Sequence, residues 1–241
     1  MFRTRCAGLA VIVFLTTALC AQPVFSKSRT HGDAGLHFTI ASPSGEFRDS
    51  VDRNGYGVSG YGAFTVGRSP LKIGLEMGYI MYGHDTRPEP ISMTIPDVTV
   101  NVRTTNNIFN GHLLFRVQEQ FGSVAPYIDG LLGFNYLWTK TTIENESDSE
   151  EIASSTNLDD TAFSYGLGGG IMVQVGKVKQ KGYGGDRLPV YLDLKVRYLL
   201  GDEADYLKEG SIKHELGRVT YDVSTSKTDL MLYQIGVAVA F

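Results

Sequence analysis

The sequence predicts an all-β fold, an eight-stranded antiparallel transmembrane up-and-down β-barrel, on the strength of three observations. Eight segments alternate between large apolar residues and small or polar ones, each at about the ten-residue length of a tilted membrane strand. Their connections alternate between long and short, as in barrels with short periplasmic turns and long outside loops. The chain is also rich in glycine and aromatic residues, with 28 Gly, 13 Tyr and 12 Phe. A soluble sandwich shares the alternation along each strand, but has no reason to alternate its loop lengths.

The first 26 residues have the pattern of a secretory signal peptide. Arg3 and Arg5 precede an uncharged run from Cys6 to Ala21, and small residues mark plausible cleavage sites after Ala21 or Ser26. This run is shorter than the ~20 residues that a spanning helix needs, which argues against a membrane anchor. We therefore expect residues 1–26 to be a cleaved signal and residues 27–241 to form the barrel domain.

The composition of residues 27–241 excludes several classes of function. Both cysteines, Cys6 and Cys20, lie in the predicted signal, which excludes disulfides, cysteine–zinc sites and cysteine nucleophiles from the mature chain. Without the two signal arginines, 20 basic and 26 acidic residues remain, and this acidic balance argues against a nucleic-acid partner. The acidic stretch 144–160 lacks the spacing of a calcium loop. We expect no cofactor and no metal.

The first four predicted strands occupy residues 35–41, 56–66, 71–81 and 107–117. The third is the most regular, because leucine, isoleucine, methionine and tyrosine alternate there with lysine, glutamate and glycine. In the second, Tyr61 falls out of phase with the apolar residues, which indicates either a bulge or a tyrosine that points into the lumen. A polar loop, a tight turn and a long loop from Gly83 to about Val100 are expected to connect these strands.

The last four predicted strands occupy residues 124–138, 162–175, 190–200 and 230–241. Each alternates in the same way, and the last ends on an aromatic residue, Phe241. The connections are expected to be the acidic loop 144–160, a basic, glycine-rich turn at 177–188, and the longest loop, 201–227. An even number of strands places both ends of the barrel domain on the same side of the membrane.

Polar residues on the second face of these strands are expected to point into the lumen. A lysine or arginine facing lipid in mid-membrane costs ~2–4 kcal/mol, so the charged face must point inward. Eight strands enclose a lumen just wide enough for side chains to fill it, and buried charges there should pair into a structural plug. The alternative is a narrow conduction path or a small internal site. The predicted lumen residues are Lys72, Glu76, His112, Arg116, Asp129, Asp193, Lys195, Arg197 and Gln234.

Aromatic residues concentrate where the predicted strands meet the long loops. This is where a membrane barrel carries an interfacial girdle of aromatic side chains. The predicted girdle comprises Tyr79, Tyr82, Tyr136, Trp138, Phe163, Tyr165 and Tyr198.

The sequence resembles the small outer-membrane β-barrel proteins of the OmpA/OmpX kind. The signal, the eight alternating segments, the stretch 125–134 (APYIDGLLGF) and the ending 235–241 (IGVAVAF) carry this resemblance. It implies a monomer in the cell outer membrane, surrounded by lipid and lipopolysaccharide. It also implies that Phe241 is a C-terminal assembly signal read by the barrel-assembly machinery.

No arrangement of residues in the sequence indicates catalysis. The His-x-Ser pair of lipid A deacylase barrels is missing after His37, His84 and His112, and His84-Asp85 alone is a weak match to the omptin proteases. We therefore expect a non-catalytic barrel that acts through its extracellular loops, in surface interaction or envelope integrity. The alternatives are a barrel enzyme that hydrolyses lipid A or peptides, and a narrow channel or carrier of small apolar molecules.

Overall fold

The computed structural model of the chain describes residues 32–92, 95–119, 122–145, 151–179, 187–215 and 218–241. The predicted signal peptide, residues 1–26, lies outside these ranges. Among the helices of the described residues, none has the length and apolar character needed to cross a membrane.

Eight antiparallel strands close into a barrel, which confirms the predicted fold class. Consecutive strands pair as neighbours around the ring, and β1 (Gly32–Pro43) closes it by pairing with β10 (Leu230–Ala240) from Asp33↔Ala240 to Pro43↔Leu230. Two more strands, β8 (Glu203–Glu215) and β9 (Arg218–Lys227), form a separate two-stranded sheet. The elements are β1 (Gly32–Pro43), α1 (Gly45–Ser50), β2 (Gly55–Thr65), β3 (Leu71–Ser92), β4 (Ile95–Gln118), β5 (Val124–Asn145), β6 (Glu151–Lys179), β7 (Arg187–Gly201), β8 (Glu203–Glu215), β9 (Arg218–Lys227) and β10 (Leu230–Ala240).

The barrel is apolar outside and polar inside, the reverse of a soluble protein. Exposure alternates residue by residue along each barrel strand, because successive side chains of a strand point to opposite faces. Leu36, Ile128 and Leu167 on the exterior are 75%, 65% and 71% exposed. Charged side chains such as Arg116 and Asp193 are fully buried in the lumen. This distribution of polarity is that of a transmembrane barrel.

The two ends of the barrel differ. At the turn end, residues 66–70 and 119–123 connect neighbouring strands, and Gly32 and Phe241 exchange two backbone hydrogen bonds of 2.9 Å. At the loop end, the chain extends farther from the barrel wall and forms structure of its own, which includes α1, β8, β9 and the outer parts of β3 to β6. The predicted asymmetry between the two ends is thus present, although most of the loop-end segments are regular structure.

The predictions of irregular loops at 83–100 and 144–160 are wrong. β3 and β4 stay paired as far as Ser92↔Ile95, and β5 and β6 as far as Glu144↔Glu151, so both segments are mainly strand. They contain only scattered large apolar residues, such as Ile91, Ile95 and Ile152, instead of one at every second position, but their threonines and valines favour extended backbone. We call this four-stranded extension beyond the loop end the blade, comprising residues 83–92, 95–106, 139–145 and 151–161.

The other two loop-end connections fold over the mouth of the barrel. The first contains α1, whose Phe47 is fully buried. The second, predicted as the loop 201–227, instead holds the hairpin of β8 and β9, in which Tyr206 and Leu207 are buried. These short apolar insertions within polar sequence close the loop end of the lumen.

Candidate functional site

Among the described residues, four acidic and four basic side chains are buried in the lumen. They come from β1, β3, β4, β5 and β7, and each is at most 5% exposed. With all eight ionised their charges cancel, so the interior carries no net charge from them. The acids are Asp33, Glu76, Asp129 and Asp193, and the bases are Lys72, Arg116, Lys195 and Arg197.

Arg116 lies at the centre of this network. Its Nε and Nη2 donate to the two carboxylate oxygens of Asp129 at 2.7 and 3.0 Å, and Nη1 donates to Asp33 at 3.3 Å. The rings of Tyr61 and Tyr127 lie 4.5 and 3.8 Å from its guanidinium carbon. The bidentate pair and the cation–π contacts together fix the guanidinium plane.

The network extends from Asp33 toward the turn end. Lys72 Nζ donates to Asp33 at 2.5 Å and to the Gln118 side-chain oxygen at 2.8 Å. The Tyr61 hydroxyl donates to the other Asp33 oxygen at 2.8 Å. One aspartate therefore joins strands β1, β2, β3 and β4.

On the other side of Arg116 the network crosses the lumen to β7 and β3. Arg197 Nη2 donates to Asp129 at 2.6 Å, and its Nη1 donates to Glu76. Lys195 lies 3.4 Å from the second Glu76 oxygen. Lys72, Asp33, Arg116, Asp129, Arg197, Glu76 and Lys195 thus form one continuous series of ion pairs.

Asp193 anchors a second group of contacts. His37 Nε2 lies 2.8 Å from one carboxylate oxygen, and the Tyr127 hydroxyl donates to the other at 2.6 Å. His37 belongs to the first strand and Asp193 to β7, on either side of β10. This contact therefore bridges the seam at which the ring closes.

A neutral polar layer adjoins the charged network. Gln234 donates to the hydroxyls of Thr39 and Ser59 at 3.0 and 2.7 Å. His112 Nε2 lies 3.2 Å from the Ser164 hydroxyl. Glu76 is directly opposite His112 in the strand register, but its carboxylate bonds to Arg197 and Lys195.

All nine residues expected in the lumen are buried on the inward face, and each of them joins the contacts above through its own side chain. Gln234 and His112 belong to the neutral layer. Two members of the network, Asp33 and His37, were missing from the predicted set. His37 shares the inward parity of β1, and Asp33 does so once the strand is extended back to Gly32. Tyr61, predicted as either a bulge or a lumen residue, points into the lumen.

Aromatic side chains close the loop end of the lumen. The ring of Phe47 meets Tyr206 edge-on at 5.1 Å and Tyr82 at 5.7 Å. The expectation that Tyr82 belongs to the exterior girdle is therefore wrong, because it lies on the inward parity of β3 and is 5% exposed. Around the outside, Trp138 lies 5.8 Å from Tyr79 and 5.3 Å from Tyr136.

Side chains fill the lumen of the barrel. Ion pairs cross between β1 and β4, between β5 and β7, and between β7 and β3, so side chains from facing walls meet within the lumen. In the part of the chain that the structure describes, no group of three or more His, Cys, Asp or Glu side chains is placed to hold a metal ion.

No protein-family model and no curated protein sequence matches the chain. Among solved structures, Neisserial surface protein A is 12% identical, covers 89% of this chain and 98% of its own, and has a TM-score of 0.40. The Yersinia pestis attachment invasion locus protein Ail, solved with the heparin analogue sucrose octasulfate, is 13% identical, with coverages of 88% and 97% and a TM-score of 0.34. The N-terminal β-barrel domain of Pseudomonas aeruginosa OprF is 10% identical, with coverages of 88% and 100% and a TM-score of 0.31.

The identities and TM-scores of these likenesses are low, whereas the strand pairing of this chain establishes its architecture directly. A closed ring satisfies every ladder position without a free edge, as the interior of a bilayer requires. Its apolar exterior and ionic interior meet the same requirement. The chain is a small eight-stranded β-barrel with the surface chemistry of an outer-membrane protein.

Proposed function

We propose that this chain is a non-catalytic outer-membrane barrel that acts in surface interaction through its blade. The observation that carries the proposal is a contrast between the two parts of the molecule. The lumen is filled by paired charges and covered by Phe47, whereas the blade extends beyond the barrel with one strand edge open. The barrel then serves as an anchor, and the blade presents the binding surface.

The filled lumen argues against the alternative function of a narrow channel. A conducting path needs a continuous passage, but Arg116 and Arg197 both meet Asp129 within the lumen and are at most 1% exposed. The rings of Phe47, Tyr82 and Tyr206 then cover the loop end.

The burial of Ser164 and His112 argues against catalysis inside the lumen. Ser164 and His112 lie at a hydrogen-bonding distance of 3.2 Å, but they are 0% and 4% exposed. A substrate has no access to that hydroxyl through a filled barrel. We therefore assign the contact to the packing of the lumen.

The two edges of the blade are built differently. The β3 edge carries Pro88 and Pro90, which have no N–H to offer a further strand, and the ion pair of Asp85 with Arg87 at 3.1 Å. The β6 edge is formed by residues 152–158, which contain neither proline nor charge, and residues 152–156 are exposed. β7 pairs with β6 only from Ser164 onward, so no described strand pairs with this edge. An open edge of this kind accepts an added strand.

The base of the open edge is acidic. Asp159 and Asp160 end it, and the Asp205 backbone N–H donates to Asp160 at 2.8 Å, which places β8 alongside. Glu203 and Asp205 of β8 add two exposed acids. This charge favours an extended, positively charged peptide as the partner.

Fluorescence anisotropy of a synthetic peptide tests the proposal. The probe alternates threonine and valine between terminal lysines, and the full chain is held in nanodiscs. Neighbouring residues of β6 direct their N–H groups to opposite sides of the strand. We therefore compare Ser154→Pro with Ser155→Pro. One of the two removes an N–H donor from the open edge, and the other removes an N–H that bonds to β5. We expect the edge variant to lower the affinity about tenfold or more while the barrel stays folded.

Matched controls separate strand addition from simple charge attraction. The same peptide with one central proline should bind weakly, and Thr86→Pro on the guarded β3 edge should leave binding unchanged. If both β6 variants bind the probe as the unaltered chain does, or if the bilayer conducts ions through the barrel, the proposal is wrong.

Two further expectations follow from the outer-membrane location. We propose that lipid and lipopolysaccharide surround the apolar wall of a monomer, since the ring leaves no barrel strand unpaired. We also propose that the barrel-assembly machinery recognises Phe241, whose ring is 42% exposed at the turn end. Both are independent of the blade.

A further inference from the structure

The hairpin of β6 and β7 extends past its neighbours at the turn end. β5 begins to pair with β6 at Val124↔Val173, yet β6 and β7 remain paired as far as Lys179↔Arg187. At about 3.3 Å per residue, the six residues 174–179 extend roughly 20 Å along the strand direction. The connections 66–70 and 119–123 at the same end have no such extension. We call this extension the basic hairpin.

The basic hairpin carries a concentrated positive charge. Lys177, Lys179 and Arg187 are all exposed, and Lys179 and Arg187 face each other in the strand register. The sequence from 177 to 187 contains four basic residues and one acidic residue. The loop end, in contrast, has exposed acids such as Asp159 and Glu203, so the two ends of the molecule differ in sign.

The position of these bases relative to the apolar wall identifies the layer they occupy. Val175, two residues before Lys177, is 63% exposed and belongs to the apolar exterior. Strands tilted by about 40° rise ~2.5 Å per residue along the membrane normal, so Lys177 lies ~5 Å beyond Val175. The headgroup layer on each side of the hydrocarbon is about 5–8 Å thick. With Val175 taken as the last residue against the hydrocarbon, Lys177 lies within the headgroups, and Lys179 and Arg187 lie at their outer boundary.

We propose that the basic hairpin binds the anionic phospholipid headgroups of the leaflet at the turn end. Val178, which is 57% exposed, continues the lipid-facing side of the wall. The register shift between Gln174 and Gly176 places Lys177, Lys179 and Arg187 on the other side of this two-stranded ribbon, where all three are exposed. Long lysine and arginine side chains extend past the edge of such a ribbon to reach a phosphate beside it. A phosphate group at this depth meets cations from both strands. Basic residues next to a bilayer are attracted to anionic lipid in this way. The site is separate from the blade and does not depend on its partner.

A single fluorescent label tests this inference in the full-length mature barrel. That chain has no cysteine, so Val178→Cys provides one attachment point within the basic hairpin. Quenching by brominated phosphatidylglycerol in a phosphatidylcholine bilayer is compared with quenching by the same fraction of brominated phosphatidylcholine. We expect the anionic lipid to be enriched several-fold around the label, and high salt to remove the enrichment.

Charge neutralisation provides the decisive comparison. Adding Lys177→Gln, Lys179→Gln and Arg187→Gln to the labelled chain should reduce the ratio of quenching by the anionic lipid to quenching by phosphatidylcholine to about one. The matched control neutralises three bases at the loop end, Arg48, Lys208 and Lys227, and should leave the enrichment unchanged. The inference is overturned if both lipids quench the label equally in the basic chain, or if enrichment persists after the three substitutions in the hairpin.

Discussion

Replacing Arg116 by methionine tests whether the lumen is held together by its charges. The change removes three charge-assisted hydrogen bonds to Asp129 and Asp33, at 2.7, 3.0 and 3.3 Å. At about 1.5–3 kcal/mol each, these bonds set an upper range of roughly 4.5–9 kcal/mol. Both carboxylates keep another cation, since Arg197 remains 2.6 Å from Asp129 and Lys72 remains 2.5 Å from Asp33. We therefore expect a loss of about 3–5 kcal/mol, the range for one broken buried ion pair.

The free energy of unfolding is measured in urea, with the barrel in lipid vesicles. Trp138 is the only tryptophan in the chain and lies next to Tyr79 and Tyr136, so its fluorescence reports on the barrel wall. The band shift between unheated and boiled samples in SDS gels provides a second measure of the folded fraction. The two midpoints should agree if unfolding is two-state.

The double variant Arg116→Met/Asp129→Asn separates charge balance from packing. Removing the carboxylate together with its guanidinium restores equal numbers of buried acids and bases. The double variant should then lose less free energy of unfolding than the two single variants lose in sum, with a coupling energy of about 1–3 kcal/mol. A loss below about 1 kcal/mol for Arg116→Met, or costs that simply add, would refute the paired network.

Three further predictions concern packing and assembly. A Cβ at Gly133 would lie 1.9 Å from a backbone carbonyl oxygen of β4, so Gly133→Ala should lower the free energy of unfolding by at least ~1–3 kcal/mol. A Cβ at Gly62 would have no atom within 4 Å, so Gly62→Ala should leave the same urea titration unchanged. Phe47→Ala removes the centre of the aromatic cover, so limited proteolysis should cut the β8–β9 hairpin faster while the SDS-gel shift of the barrel persists. Phe241→Ala should reduce the yield of assembled barrel in cells; Phe64→Ala removes the same edge-on contact of 6.1 Å between the rings but keeps the terminal aromatic, and should assemble normally. Equal yields for the two phenylalanine variants would assign the effect to packing instead of recognition.

Sequence alternation was enough to place seven of the eight charged residues described in the lumen, and Asp33 was missed because the predicted first strand began at Gly35. Lys195 and Arg197 could not face lipid, and that single constraint oriented every strand that carries a charge. Which acid meets which base could not be predicted in the same way, because pairing across the lumen depends on the stagger between strands. The contact between His37 and Asp193, 156 residues apart, results from that stagger alone.

The loop-end segments were predicted least well, for a different reason. A strand in the membrane is recognisable because lipid demands an apolar residue at every second position. In the blade the apolar alternation is short, as at Val100 and Val102, so the pairing of strands at Thr104 and Thr141 has no apolar pattern to mark it. Phe47 and Tyr206 are single aromatic residues within polar stretches, and their role appears only when the two connections meet over the barrel mouth.

The placement of Asp33 and His37 on the first strand makes the interior sensitive to completion of the ring. Asp33 accepts from Lys72 and Arg116, and His37 meets Asp193, so β1 supplies partners to β3, β4 and β7. A partial barrel without β1 leaves Lys72 without the carboxylate of Asp33 and removes one partner each from Arg116 and Asp193, which is costly in a bilayer. Intermediates with an open seam are therefore unfavourable in lipid, and the last step of insertion becomes cooperative. The same contacts that fill the barrel thereby favour the insertion of complete rings over the insertion of open ones.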